Sequence, residues 1–165
     1  MKKLIFGLHG RVLSIAGKLQ PMALLLLRIA VGMVFIQTGW AKLHDLFTFE
    51  VYFKSLGIPY PELQAPFVAT LEFVGGSCML LGLATRYLSV PLAGTMAVAI
   101  LTAKWKSVAT EEVPKSELLD LFNFDEFTYL VIFLALAMLG AGAWSVDHLL
   151  KKKLYDTNKA GEVIS

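Results

Sequence analysis

Four apolar stretches, residues 21–41, 65–84, 87–103 and 127–144, fill almost half of this 165-residue chain. Each is close to the ~17–25 residues that a helix needs to cross a bilayer. Only Arg28 and Glu72 carry charge well inside them. Backbone N–H and C=O groups have no water to bond to in hydrocarbon, so apolar spans of this length must be helical. The chain therefore reads as all-α, a polytopic membrane protein built as a four-helix bundle. A composition that is 56% hydrophobic and 17% charged agrees, because soluble domains carry about a quarter charged residues. Four spans and their loops use up the length, leaving one domain over residues 1–165.

The flanks set the orientation. Lys2, Lys3, Arg11, Lys18, Arg86, Lys151, Lys152, Lys153 and Lys159 fall on one side; Lys42, Lys54, Lys104, Lys106 and Lys115 fall on the other. The richer side is cytoplasmic by the positive-inside rule, so both termini face the cytoplasm. Residues 148–165 form a cytoplasmic tail whose lysines stop at the anionic membrane face. The net charge of +2 gives no basis for binding nucleic acid. Residues 1–20 are too interrupted by His9, Arg11 and Lys18 to be a secretion signal. Leu4, Leu8, Val12, Ile15 and Leu19 recur at helical spacing, predicting an amphipathic helix in the interface before Pro21 starts the first span. In the first outer loop Phe47, Phe49, Tyr52 and Phe53 beside Asp45, Glu50 and Lys54 predict a short amphipathic helix ended by Gly57 and Pro59. Trp40, Trp105 and Trp144 mark span ends, as an aromatic belt does.

Spacing inside the spans is more informative than composition. Arg28, Gly32, Phe35, Gly39 and Lys42 lie on one face of the first span, and Glu72, Gly75 or Gly76, Met79, Gly82 and Arg86 on one face of the second. Glycine lets a neighbouring backbone approach closely, so both stripes should face inward. Glu126, Phe133, Gly140 and Asp147 form a similar face on the fourth span, and Ala93, Ala97 and Lys104 on the third. At ~1.5 Å of rise per residue, Arg28 and Glu72 differ by roughly 10 Å in height. Two readings of these charges stand open. In the structural one they neutralise each other or bond to polar neighbours and fix helix register. In the functional one they join Gln37, Lys42, Lys104 and Glu126 to line a polar pocket for a quinone headgroup, a small substrate or protons. Asp147, with Ser145 beside it, shares the cytoplasmic level of Arg86, and an Asp147–Arg86 pair would clamp the fourth span to the inner turn.

Several chemistries find no residues to carry them. A single cysteine, Cys78, excludes an intrachain disulfide or dithiol relay. His9, His44 and His148 are scattered, and no spaced metal-ligand set is present. Phosphate loops, dinucleotide turns and nucleophile elbows are missing, as is an attachment site for a covalent cofactor. An enzyme acting alone is not expected.

The order of Arg28, Gly39 and Lys42, Gly57-Ile58-Pro59, Glu72 with Gly75-Gly76, Gly82 with Thr85-Arg86, and Gly140-x-Gly142-x-x-Ser145-x-Asp147 resembles the DoxX family of small bacterial four-helix membrane proteins. The resemblance runs from about Leu24 to Asp147. It implies residence in the bacterial inner membrane and work beside a redox or maturation partner. Members of this group are similar to the membrane subunit of a thiosulfate:quinone oxidoreductase and to a partner of superoxide dismutase. The leading expectation is a membrane subunit that docks such a partner and holds a quinone or small molecule; it extends to self-association. The alternatives are a ligand-free anchor or assembly factor and, below that, a small-solute transporter. Fold analogy alone does not choose among them.

Overall fold

The computed structural model describes residues 2–104 and 125–162, with side chains described over 17–102, 125–153 and at 155. The chain forms α1 (Lys2–His44), α2 (Leu46–Leu56), α3 (Pro61–Leu81) and α4 (Thr85–Ala99), which runs into a π-helical turn at Ile100–Lys104. It continues with α5 (Asp125–Leu139) and α6 (Val146–Glu162). No strand occurs among the described residues. This is an all-α membrane protein, and two helical segments, Gly17–His44 and Pro61–Leu81, are long and apolar enough to cross a bilayer.

α1 differs from expectation. One helix of 43 residues runs through Pro21, about 64 Å at the usual rise and twice the hydrocarbon thickness. Proline removes one N–H and presses on the carbonyl four residues back. Here that residue is Gly17, where nothing would lie within 4 Å even of an added Cβ. The side chains of the expected interfacial helix before residue 17 lie outside the described residues, as does most of the second outer loop with Trp105.

α2 forms where the loop pattern placed it. Asp45 accepts a hydrogen bond from the Thr48 amide at 3.2 Å and caps its start. Gly57, at φ 77°, ends it; the Gly57 amide bonds to the Lys54 carbonyl and the Ile58 amide to that of Phe53. This left-handed glycine stop folds Ile58 back onto Phe53 and Ala65 in a small apolar cluster, which seats α2 across the start of α3.

α1, α3, α4 and α5 share the main core of Leu24, Val31, Phe35, Met79, Leu92, Ala93, Met96, Phe133 and Leu136. Phe35 holds its centre, edge-on to Tyr129 at 5.3 Å and to Phe133 at 4.8 Å between ring centroids. The glycine stripes meet as spacing predicts. A Cβ on Gly39 would fall 2.4 Å from the Phe73 amide nitrogen, and one on Gly76 would fall 2.8 Å from that of Ile36. Bare backbone is what lets α1 and α3 come this close.

The region after α5 departs from the continuous fourth apolar helix that the sequence predicts. α5 stops at Leu139, five residues short of the apolar limit, because Gly140 and Gly142 take positive φ of 80° and 76°. A turn follows, and the expected tail becomes α6, whose first turn is capped by Ser145 Oγ accepting from the His148 amide at 3.2 Å.

Gly39→Ala is expected to lower the unfolding temperature in detergent, since forcing a methyl into a closed contact costs about 1–3 kcal/mol. Gly94→Ala adds its methyl to open space and is expected to melt like the parent or slightly higher. Equal melting of the two variants in a thermal scan would refute the close α1–α3 approach.

Candidate functional site

The two intramembrane charges go to different ends of the molecule. Arg28 is 1% exposed and Glu72 2%, so each must find partners or lose several kcal/mol to desolvation. They do not pair with each other.

Arg28 points to the end of the bundle where α3 stops and α4 begins. Its Nε donates to the Met79 carbonyl at 3.0 Å and its Nη2 to that of Leu80 at 3.4 Å. Nη1 donates to the carbonyls of Ala141 and Trp144, the latter at 3.0 Å. Met79 and Leu80 lie in the last turn of α3, where carbonyls carry the negative end of the dipole and lack the usual i+4 amide; the Met79 carbonyl also accepts from the Gly82 amide at 3.1 Å. Gly82 leaves the space this requires: a Cβ there would come within 2.6 Å of the Arg28 guanidinium carbon and 2.7 Å of Ser145 Cβ. Arg28 is thus a tie between α1, the end of α3 and the turn after α5.

Asp147 also clamps, through different atoms from those expected. Its carboxylate accepts from the Ala84 amide at 2.8 Å and the Thr85 amide at 3.1 Å, while its own amide donates to the Gly82 carbonyl at 3.0 Å. Ala84 sits at φ 50°, a left-handed conformation that costs a non-glycine residue roughly 1–2 kcal/mol. Two amides facing one carboxylate at the start of α4 hold it there. Arg86 turns away and donates to the Leu139 carbonyl at 3.4 Å, lying over Gly140. Opposite charges need not pair with each other when open helix ends are available to both.

Glu72 looks toward the other end. Lys42 Nζ stands 2.6 Å from both of its oxygens, and the same ammonium lies 4.9 Å from the centroid of the Phe49 ring. The Lys42 side chain is 30% exposed, because this pair lines a cavity of about 400 Å³. α2 closes one side with Phe49, Phe53 and Leu56. α3 contributes Gln64, Phe67, Val68 and Leu71, α4 contributes Pro91 to Ala99 in part, and Thr102 in the π-helical turn and Glu126 at the start of α5 complete the wall. Such turns within helices are frequent at functional sites. Gln64 Nε2 donates to the Pro59 carbonyl at 2.6 Å, fastening the Gly57–Tyr60 corner over the cavity.

Of the residues named from sequence, Lys42, Glu72 and Glu126 meet at this cavity. Arg28 is elsewhere, Gln37 is exposed and does not line it, and the Lys104 side chain lies outside the described residues. The walls supplied by α2 and α4 were not anticipated. Pro91, Gly94, Thr95, Val98 and Thr102 recur at steps of one, three or four, a small and polar face on α4 that was legible as a second face beside Ala93 and Ala97. Among the described residues no group of three or more His, Cys, Asp or Glu could hold a metal ion.

Comparison with known proteins fits this arrangement. The DoxX family model matches residues 23–105. The chain is 35% identical to the inner membrane protein YqjF of Escherichia coli over 137 residues, covering 82% of this chain and 98% of that protein. The chain belongs to the DoxX family. It is also 31% identical to the inner membrane protein YphA of Escherichia coli over 79% of this chain and 92% of that one. A third relative, named "Putative oxidoreductase CatD", from Bacillus subtilis, is 36% identical over 83 residues, half of this chain and 60% of that protein. No solved structure matches.

Asp147→Ala removes two charge-assisted bonds to amides of a strained turn. A destabilisation of about 1–3 kcal/mol is expected in thermal or denaturant unfolding. Arg86→Ala removes one exposed contact and should cost less than about 1 kcal/mol. Comparable losses for the two variants would mean that the clamp depends on the side-chain pair after all.

Proposed function

We propose that this DoxX-family protein is an inner-membrane subunit of a redox-linked complex, and that its cavity holds the headgroup of a quinone or a similar small molecule. The observation that carries the reading is the Lys42–Glu72 pair lining a mostly apolar cavity. Ligand sites are commonly concave, about 300–1,000 Å³, mostly apolar and fitted with a few convergent polar groups. Buried ion pairs contribute little net stability compared with well-packed apolar residues. A pair kept open to a cavity is therefore better suited to meeting a ligand than to holding helices together.

The residues fit a quinone headgroup. Lys42 has three N–H donors, of which Glu72 takes two, leaving one to hold a carbonyl oxygen. Phe49 and Phe53 offer faces to a flat ring. When bound, a quinone would supply the electron-accepting chemistry. Lys42 would orient its oxygen, and Glu72 would exchange a proton with it while the partner delivers electrons. In this reading four segments cross the membrane: the second half of α1, α3, α4 with its π-helical turn, and α5 with the turn to Trp144. Both termini face the cytoplasm, as the lysine and arginine distribution supports. The name of CatD lends support to redox work.

A second reading, a ligand-free anchor or assembly factor, draws on the inner end, where Arg28, Arg86 and Asp147 all serve helix termini. The two are separated by extracting the purified protein with organic solvent and measuring quinone absorbance. The parent is expected to carry quinone. Glu72→Gln and Lys42→Met are expected to lose about ten- to hundred-fold in occupancy, as loss of a hydrogen bond to a charged group of about 1.5–3 kcal/mol implies. A parent without quinone that still holds a stable partner complex would establish the anchor instead.

A further inference from the structure

The cavity has a blocked side and an open one. Toward the outer surface, α2 and the Gly57–Tyr60 corner lie across it: Phe53 and Ile58 are buried, and Gln64 is bonded back to Pro59. Toward the bundle interior it meets Met96, which belongs to the packed core. Between α3 and α4 the wall is different. Phe67 and Val98, which line the cavity, are also 63% and 48% exposed. Pro91 and Gly94 are exposed too, and a Cβ on Gly94 would meet nothing within 4 Å. Gly94 therefore leaves a gap that no neighbour fills, in contrast with Gly39 and Gly76, whose missing side chains make room for backbone.

We propose that this seam between α3 and α4 is a lateral portal and tail groove. Through it a lipid-soluble molecule with an oxygen-bearing head and one long hydrocarbon tail passes from the bilayer to Lys42 and Glu72. The inference rests on the ligand-binding reading above and adds the class of ligand and its route. Three features of the seam favour this occupant over a water-soluble one. The opening lies between the sides of α3 and α4, at Phe67 on the one and Pro91, Gly94 and Val98 on the other, two helices that both cross the membrane in the reading above. Its rim is apolar at Phe67, Pro91 and Val98, so a charged or sugar-like solute would lose hydration there without replacement bonds. Its one ion pair, Lys42 with Glu72, gives an oxygen-bearing head a charged group to bond to, and the apolar rim leaves the tail nothing polar to desolvate. The hydrocarbon tail gains little by leaving lipid that is equally apolar; the groove fixes its direction and leaves affinity to the head.

The test uses the full-length protein in liposomes and a benzoquinone whose decyl tail carries a diazirine. On illumination, labelling is expected in the peptides holding Phe67, Gly94 and Val98, to be displaced by excess unmodified decyl-benzoquinone, and to be lost in Glu72→Gln. Gly94→Phe and Val98→Trp each plug the seam from outside the core. Each is expected to lower quinone occupancy about tenfold, equivalent to about 1.4 kcal/mol, with the melting temperature kept. Displaceable labelling confined to other helices, or full occupancy in both plugged variants, would overturn the portal and leave the headgroup site standing. A parent protein that neither carries quinone nor shows displaceable labelling would overturn both.

Discussion

A single guanidinium organises the end of this protein where α3 and α5 stop. Arg28 lies within the longest apolar segment, almost wholly buried, and its partners are carbonyl oxygens alone, from the end of α3 and the turn after α5. In hydrocarbon each open carbonyl at a helix end is a liability of several kcal/mol, and so is an unpaired cation. Bringing the two together removes both liabilities at once. The geometry then propagates outward. Because Arg28 reaches Met79 and Leu80, α1 and α3 are fixed in height, and that register puts Gly32 opposite Gly76 and Gly39 opposite Phe73. The same register places Lys42, fourteen residues further along one face of α1, beside Glu72.

The charges divide by task. At the end of the bundle that holds Arg28 a cation meets the last turn of α3, a second cation meets the end of α5, and a carboxylate meets the first amides of α4. All three obey the sign of the helix dipole. None of the three is left facing a cavity. At the other end Lys42 and Glu72 pair side chain to side chain, and both line the cavity. The charges that bind helix ends meet backbone, and the pair in reach of a ligand does not. This contrast is the physical basis for placing chemistry at Lys42 and Glu72.

Much of the fold is legible in the sequence because lipid reduces the choices. Apolar run length gives the helices, the glycine spacing gives the α1–α3 contact, and Gly57 with the aromatic run gives α2. What could not be read is which backbone atoms the charges would choose. Sequence spacing places Arg28 near Glu72 and Arg86 near Asp147, and pairing opposite signs is the natural inference. Yet carbonyls and amides at helix ends have no letter in the sequence. The positive φ of Ala84, which Asp147 supports, is equally silent, since alanine gives no sign of it. Pro21 misleads for the opposite reason: proline suggests a helix start, but one lost hydrogen bond opposite Gly17 does not stop a helix held by packing further on. The cavity walls were missed because α2 was read as an interfacial anchor and α4 by its alanines.

The extent of the family match has a structural counterpart. Residues 23–105 contain Arg28, Lys42, Glu72, all of α2 and the whole α3–α4 seam, and stop before α5. From beyond that boundary the chain supplies Arg28 with carbonyls at Ala141 and Trp144, which any residue type offers, adds Tyr129, Phe133 and Leu136 to the core, and uses particular residues at Gly140, Gly142, Ser145 and Asp147 in the turn. Glu126 is the one cavity-lining side chain outside the match. A segment whose contribution is mainly backbone and apolar packing can vary in sequence while keeping its contacts, provided its turn can still adopt positive φ. The first four helices hold the side-chain chemistry of this protein, and the last two close the bundle around it.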